Sequence, residues 1–406
     1  MTGKITDEKI FAYALKNAVE HEGKAIAGSV LSPLFFEGLK KEDVKIIMPR
    51  INEIIRKVNS LSIEEQKKEI DKHEKSICHR EVRAPDVLPE LPNVKGNIVM
   101  RFRPAPSGPM HVGHVISNMI SSLFVKKYGG KFYIIIDDTN PKETLKEAYK
   151  NIKEDCNWLF GNVTKYINAS DRIETYYNYA VELINKKSAY VCTCDNEEFK
   201  KLVERNKPCP CRSLEVKDNL ERWKKMLDKK GYRQGEAVLR FSSDLDNSNP
   251  AMRDFPLARI NEEEHPLQGK KYRVWPLMNL SVAADDIDYG MTHIIRGKDH
   301  RDNSERQKMI YRVLGKEKDF PWTFFIGRVK FTDLILSKRK IKAAIEKGEF
   351  EGFEDARLPT IASLRKRGYK PEAFAKMATQ RGLTEVDKVM SQKDFFDVLN
   401  RFNREE

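Results

Sequence analysis

The chain has none of the loops that most often carry chemistry in α/β proteins. Its 406 residues contain no G-x-x-x-x-G-K-[ST] and no G-x-G-x-x-G. That excludes the two commonest phosphate cradles. There is no H-E-x-x-H, so a helix-borne zinc protease site is excluded as well. No long uncharged apolar run and no secretory signal are present, so no membrane partner and a soluble, cytoplasmic protein are expected. Repeats and low-complexity tracts are missing. Negative charge is in short supply: 74 Lys+Arg face 61 Asp+Glu, a net charge of +13. A surplus of one sign over 406 residues suggests an acidic partner. The length can bury a large core and should hold two or more domains.

What is present starts with Arg101-Phe-Arg-Pro-Ala-Pro-Ser-Gly-Pro-Met-His-Val-Gly-His114. Asn97–Phe102 is an apolar run suited to a buried strand. Pro104, Pro106 and Pro109 end it and forbid early helix formation. From His111 onward Val115, Met119, Ser122 and Leu123 recur at helical spacing, so His111 and His114 share one face of a first turn. A helix start attracts an anion through its unpaired amides and dipole. Gly113 lets a base or phosphate come close. The pair reads as a nucleotide grip; the competing reading is a satisfied or metal-binding His pair. A second strand, Lys131–Asp138, ends in two carboxylates, at the edge where open parallel sheets bind ligands. Asn140-Pro141-x-Glu143 then predicts a helix start, with Leu145, Ala148, Tyr149, Ile152, Cys156 and Leu159 in period behind it. Strand, helix, strand, helix predicts a parallel sheet with crossover helices, an α/β fold.

Residues 1–80 read as polar helices, with Ser62-Ile-Glu-Glu65 as a capping box. Residues 81–96, with Pro85, Pro89 and Pro92, read as a linker. The α/β core runs over 97–190 and resumes over 271–342. Between them, 191–270 is an insertion rich in charge and loops. A basic helical region fills 343–406, where Pro371 and Gly382 bracket one helix. Inside the insertion, Cys192-Thr-Cys194 and Cys209-Pro-Cys211 are fourteen residues apart. Four thiolates at about 2.3 Å from one Zn²⁺ would make a closed structural site. The plainer alternative is four small buried hydrophobes. Cys78 and Cys156 read as structural.

These motifs resemble the class I aminoacyl-tRNA synthetases, and within them the glutamyl-tRNA synthetases of archaeal type. His111-Val-Gly-His114 matches the family's HIGH signature, and Ile335-Leu-Ser-Lys-Arg-Lys340 resembles its KMSKS signature. Trp275–Asp286 and Gly290–His300 resemble the amino-acid pocket and nucleotide segments between them. Asp355–Gly368 and Ala14–Lys24 are similar to segments of the archaeal branch. The resemblance implies a Rossmann-like parallel sheet split by an α+β acceptor-stem insertion with a zinc knuckle, an N-terminal helical extension and a C-terminal helical region. It implies a monomer that binds ATP with Mg²⁺, L-glutamate and tRNA(Glu), with tRNA(Gln) as a further substrate. By the same resemblance catalysis would fall to His111, His114 and Lys338, and the binding roles that follow are those it implies. ATP is bound by His111, Gly113, His114, Arg296, Gly297, Asp299, Ser337 and Lys338, with Arg339 or Lys340 assisting. Glutamate is bound by Arg101, Asp137, Met278 and Arg296. Zinc is held by Cys192, Cys194, Cys209 and Cys211.

Three positions depart from the family: Met278 stands where a Tyr is usual, Ala105 where bacterial members have Ser, and Ile135 where the strand usually has Arg. No strand-rich stretch follows residue 343, although the family branch carries anticodon-reading barrels there. Either a partial chain or a natural short form fits. Three other functions compete: a glutaminyl-tRNA synthetase, a short paralogue that transfers glutamate to a tRNA base, and a catalytically silent tRNA-binding module.

Overall fold

The computed structural model describes residues 5–73, 87–333 and 338–405. Cys78 and residues 335–337 of the Ile335–Lys340 signature lie outside them. The chain divides into two compact units, Met1–Ala84 and Pro85–Glu406.

The first unit is helical: α1 (Asp7–Glu20), α2 (Ala27–Phe36), α3 (Val44–Asn59) and α4 (Ile63–His73). Ile47, Ile51, Ile55 and Val58 recur along α3 and close on Ile10, Ala14 and Ala18 of α1. This is one apolar stripe against another, with charge kept outside. The expected capping box at α4 forms: Ser62 N donates to Glu65 Oε2 at 2.8 Å and Glu65 N to Ser62 Oγ at 3.3 Å.

In the second unit β1 (Ile98–Phe102), β2 (Gly130–Ile136) and β3 (Lys165–Asn168) form a parallel sheet, order β1-β2-β3. The helices α5 (Val112–Tyr128) and α6 (Lys146–Phe160) are the crossovers, and α7 (Ile173–Asn185) leads away. Gly130 opens β2 with φ +130°, and a Cβ there would lie 1.9 Å from Ile98 O, so no other residue fits. The chain then builds an antiparallel sheet in order β4 (Ala189–Cys192), β5 (Val238–Phe241), β6 (Pro256–Ile260), β7 (Val274–Pro276), with α8 (Asn196–Glu204) and α9 (Val216–Leu227) inside it. This sheet starts before residue 191 and ends past 270, a little wider than the insertion read from sequence. It owns a separate core around Trp223, Met226 and Leu239. Next come α10 (Met278–Asp288), β8 (His293–Gly297), α11 (Arg301–Val313) and β9 (Trp322–Ile326), with β8 and β9 parallel. Thr292 N donates to Val99 O at 3.0 Å, which brings β8 alongside β1 and rejoins the halves of the parallel layer.

After β10 (Val329–Phe331) follow α12 (Lys338–Glu346), α13 (Ile361–Lys366), α14 (Pro371–Arg381), β11 (Lys388–Met390) and α15 (Gln392–Arg404). The helix expected between Pro371 and Gly382 is α14, closed by Gly382 at φ 62°. The region is not purely helical, however. β11 pairs in parallel with β10, a long-range contact that a three-residue segment cannot announce.

A second expectation needs correcting. Asn140 does not cap an α-helix: Pro141–Glu143 is a single 3₁₀ turn, and α6 begins at Lys146. The Asn140 side-chain oxygen instead accepts from Arg259 (3.3 Å) and Asn261 (3.4 Å) of β6 and the residue after it. A competing tertiary partner takes the capping atom.

On α6, Asp155 is buried at 1% exposure, and neither carboxylate oxygen has a hydrogen-bond partner among the described residues. Burial pushes its acid up to about 7, with Arg365 opposing and Glu154 and Glu354 adding to the rise. The sign follows. The unfolded chain ionises Asp155 near its ordinary 3.8 while the fold keeps it protonated, so stability is lost as pH rises from 4 to 7. The full loss is at most about 4 kcal/mol. Asp155→Asn should therefore raise the melting temperature at pH 8, with the gain shrinking toward pH 4. Thermal unfolding across that range checks it, and a gain independent of pH would contradict it.

Candidate active site

The carboxyl ends of β1, β2 and β8 and the start of α5 converge on one cleft of ≈ 440 Å³. Of the residues singled out from the sequence, Arg101, His111, Gly113, His114, Asp137, Met278, Arg296, Gly297 and Asp299 all line it. Ser337 lies outside the described residues. Lys338 is the first residue of α12, and its side chain is also outside them. The four paired cysteines sit elsewhere: Cys192 ends β4, and the other three lie in the connection from β4 to β5.

His111 is the N-cap of α5 and His114 its third residue, and they cap each other. Gly113 N donates to His111 Nδ1 at 3.1 Å, and His111 N donates to His114 Nδ1 at 3.3 Å. The ring centroids are 3.9 Å apart. Because both Nδ1 atoms accept, the ring proton belongs on Nε2 in each, and each imidazole presents an N–H donor. The proline-rich turn before them is pinned from two sides. Asp137 N donates to Pro104 O and Leu145 N to Pro106 O, each at 2.8 Å. Met110–Val112 pairs with Pro359–Ile361 (Val112 N to Pro359 O 3.1 Å; Ile361 N to Met110 O 3.0 Å). The Asp355–Gly368 stretch thus clamps the helix start, a role its sequence does not announce.

The cleft floor is a network of charges. Arg101 is 7% exposed and turns a fork on Asp286, Nη2 to Oδ2 at 2.8 Å and Nε to Oδ1 at 2.5 Å. The resemblance placed Arg101 in the amino-acid pocket. It does border the cleft, but two of its five N–H groups are committed to Asp286. Arg103, which sequence reasoning missed, is the hub: Nε donates to Asp137 Oδ2 at 3.0 Å, Nη2 to Ser281 Oγ at 3.0 Å, and Nη1 to Asp285. Burial works against its charge, but Asp137 and Asp285 outweigh it and hold Arg103 well above the ordinary value. Conversely, burial pushes Asp137 up, and Arg103 with Thr139 more than reverses that, keeping the carboxyl below its usual range. Asp138 takes the other side of the strand end: Tyr149 OH and Ser170 Oγ donate to it at 2.6 Å each. Arg172 pairs with Asp285 at 2.6 Å.

Arg296 differs. No carboxylate among the described residues pairs with it; its Nη1 donates to the amide oxygen of Gln307 at 2.8 Å. Burial, then Arg101, lower its acid to about 10 against the pull of Asp286 and Asp299, so it stays cationic at neutral pH with no carboxylate bonded to it among the described residues. Nearby Asp299 is taken by Arg328 at 2.7 Å. Burial and Arg296 also lower His300, a further cleft residue the sequence did not mark. Met278, at 36% exposure, gives one wall an apolar surface. Ile135, the third departure, is fully buried among Tyr133, Ile167, Met291 and Ile294, away from the cleft.

The four cysteine sulfurs lie within 4.8 Å of one another, and Cys192–Cys209 and Cys194–Cys211 are each 3.8 Å apart. A tetrahedron with 2.3 Å Zn–S bonds has edges of about 3.8 Å. Arg222 Nη1 donates to Cys211 Sγ at 3.2 Å, and Arg240 lies 3.4 Å over the Phe199 ring nearby. Four thiolates around a divalent ion carry net charge, and such cations offset it. The donor set fits zinc.

With that geometry in place, the family is clear. The description "tRNA synthetases class I (E and Q), catalytic domain" matches residues 97–403, and the chain belongs to this family. Two relatives called glutamate–tRNA ligase sharpen the likeness. The one from Methanocaldococcus jannaschii is 41% identical over 393 residues, covering 97% of this chain and 70% of the relative. The one from Pyrococcus furiosus is 43% identical over 401 residues, covering 97% and 69%. The chain thus spans about 70% of their length. In fold it is similar to the crystal structure of a glutamate tRNA ligase from Elizabethkingia meningosepticum in complex with its amino acid, with a TM-score of 0.51 at 20% identity over 76% of this chain and 69% of that one. No described helix is long and apolar enough to cross a membrane.

Proposed function

We propose that the chain is a glutamate–tRNA ligase. It joins L-glutamate to ATP as glutamyl-adenylate, then passes the glutamyl group to the 3′ end of tRNA(Glu), with tRNA(Gln) as a further acceptor. The observation that carries the amino-acid assignment is Arg296, a cation in the cleft held by a neutral amide. A side-chain carboxylate completes it, through charge-assisted bonds. Glutamine would set its NH₂ against the guanidinium and lose one such bond. At about 1.5–3 kcal/mol, that is roughly ten- to hundredfold discrimination.

The remaining roles are supported by position for the cleft residues and by the family resemblance for residues 337–340. Asp137, kept ionised by Arg103, receives the α-ammonium. The α-carboxylate oxygen attacks the α-phosphorus, the P–O bond to pyrophosphate breaks, and the developing charge is met by the Nε2–H donors of His111 and His114 at the start of α5. Gly113, Gly297 and Asp299 border the nucleotide. Ser337 and Lys338, with Arg339 or Lys340, stabilise the departing pyrophosphate; Lys suits phosphate as a point charge. Mg²⁺, when bound with ATP, would supply positive charge to the phosphates. In the second step the terminal ribose hydroxyl attacks the acyl carbon and AMP leaves. No covalent enzyme intermediate is needed, so catalysis is positioning and charge stabilisation. Cys192, Cys194, Cys209 and Cys211 hold one structural Zn²⁺, with Arg222 on the Cys211 sulfur.

Charging of total tRNA with labelled glutamate, with glutamine as control, tests the reading. ATP-dependent incorporation of glutamate is expected, near zero in Lys338→Ala. A preference for glutamine, or full activity in that variant, would reject it.

A further inference from the structure

We infer that Gln307 is the positioning residue that sets the cleft's preference for a carboxylate side chain, because it orients Arg296 without neutralising it. This rests on the glutamate reading above. Three arginines close to the cleft each face a carboxylate: Arg101 faces Asp286, Arg103 faces Asp137 and Asp285, and Arg172 faces Asp285 and Asp288. Buried charge is normally matched in this way. Arg296 alone among these four has no carboxylate bonded to it among the described residues; its partner is an uncharged oxygen, Gln307 Oε1 at 2.8 Å. The two carboxylates whose charge reaches Arg296 are bonded to other arginines, Asp286 to Arg101 and Asp299 to Arg328.

Gln307 is built for this one orientation. It is 2% exposed on α11, and its Nε2 points at Asn279 Oδ1 (3.5 Å) on α10, beside Met278. Turning the amide over would set its NH₂ against the guanidinium and its oxygen against Asn279 Oδ1, two repulsive contacts for two attractive ones. The neutral acceptor therefore aims Arg296 and leaves its full positive charge for the ligand. A carboxylate in the same place would aim it equally well and cancel it.

The test compares Gln307→Glu with Gln307→Met in tRNA charging, reading KM and kcat for glutamate, glutamine and ATP. Gln307→Glu is nearly isosteric. Its added carboxylate faces the incoming one, and repulsion of that kind is worth several powers of e in binding. The expected result is a glutamate kcat/KM about 100-fold lower, carried by KM, with the ATP KM unchanged and glutamine use equal or improved. Gln307→Met keeps the volume and the cation. With the acceptor that aims Arg296 gone, it should lose about tenfold in glutamate kcat/KM and narrow the preference for glutamate without reversing it. A purely structural residue would lower both substrates together in both variants. The inference is overturned if Gln307→Glu keeps the wild-type glutamate-to-glutamine ratio, or if Gln307→Met leaves glutamate kcat/KM at the wild-type level. Should Gln307→Glu fail to bind ATP, Gln307→Met decides alone. Absence of glutamate charging by the wild-type protein would instead remove the reading of the reaction itself.

Discussion

Replacing Arg103 with Met should cost more than any other single change in the cleft, about 3 kcal/mol or more of unfolding free energy together with most of the affinity for glutamate. Arg103 is 6% exposed and binds Asp137, Asp285 and Ser281 at once. Taking away one partner of a buried ion pair leaves its charge desolvated, a loss on the order of 3–5 kcal/mol. The lower end applies because Asp285 keeps Arg172 at 2.6 Å and Tyr176 OH at 2.9 Å. Among the described residues Asp137 keeps only Thr139, whose Oγ1 donates at 3.0 Å and whose backbone also bonds to it. The pH dependence has a definite sign. Arg103 holds Asp137 below its ordinary acid value, so its stabilisation is present above pH 4 and fades as pH falls through the lowered value. The gap between parent and variant should narrow in acid. Denaturant unfolding at pH 7 and well below pH 4 reads the first effect, and the KM for glutamate against that for ATP reads the second. Arg103→Lys should recover charge but not the three directed bonds. A variant within 0.5 kcal/mol of the parent, an allowance typical of surface changes, would show that Arg103 is not the hub.

The second large effect concerns the cysteines. Zinc assay is expected to find about one ion per chain, with sulfur neighbours at about 2.3 Å by X-ray absorption. Cys192 ends β4, whereas Cys209 and Cys211 belong to a separate 3₁₀ turn, and α8 lies between them. Removing the ion, or making Cys211→Ser, should release that stretch and raise protease cleavage between residues 195 and 208 at least tenfold, since site assembly and local folding are coupled. The sheet itself should survive, because Trp223, Met226 and Leu239 give it a core of its own. A metal-free sample with unchanged protection would reject the site.

The sequence shows the parts of this molecule that obey local rules. Apolar runs mark β1 and β2, helical period marks α5 and α6, and the His-x-x-His spacing at a helix start marks the pair that caps it. Paired cysteines mark one another. What it hides is long-range. Arg103 meets Asp285 across 182 positions and Arg101 meets Asp286 across 185, so neither partnership leaves a local trace. Two arginines spaced by one residue at a strand end, followed far off by two adjacent aspartates, were the available hint. Gln307 left none, since a glutamine on an amphipathic helix reads as surface. Asn140 shows the opposite failure, a valid capping signal overridden by Arg259.

The most direct measurement is a crystal structure with a non-hydrolysable glutamyl-adenylate analogue. The side-chain carboxylate should lie within hydrogen-bond distance of the Arg296 guanidinium, and the phosphate at the Nε2 atoms of His111 and His114. A carboxylate seated away from Arg296, or a phosphate remote from both imidazoles, would contradict the assignment of this cleft.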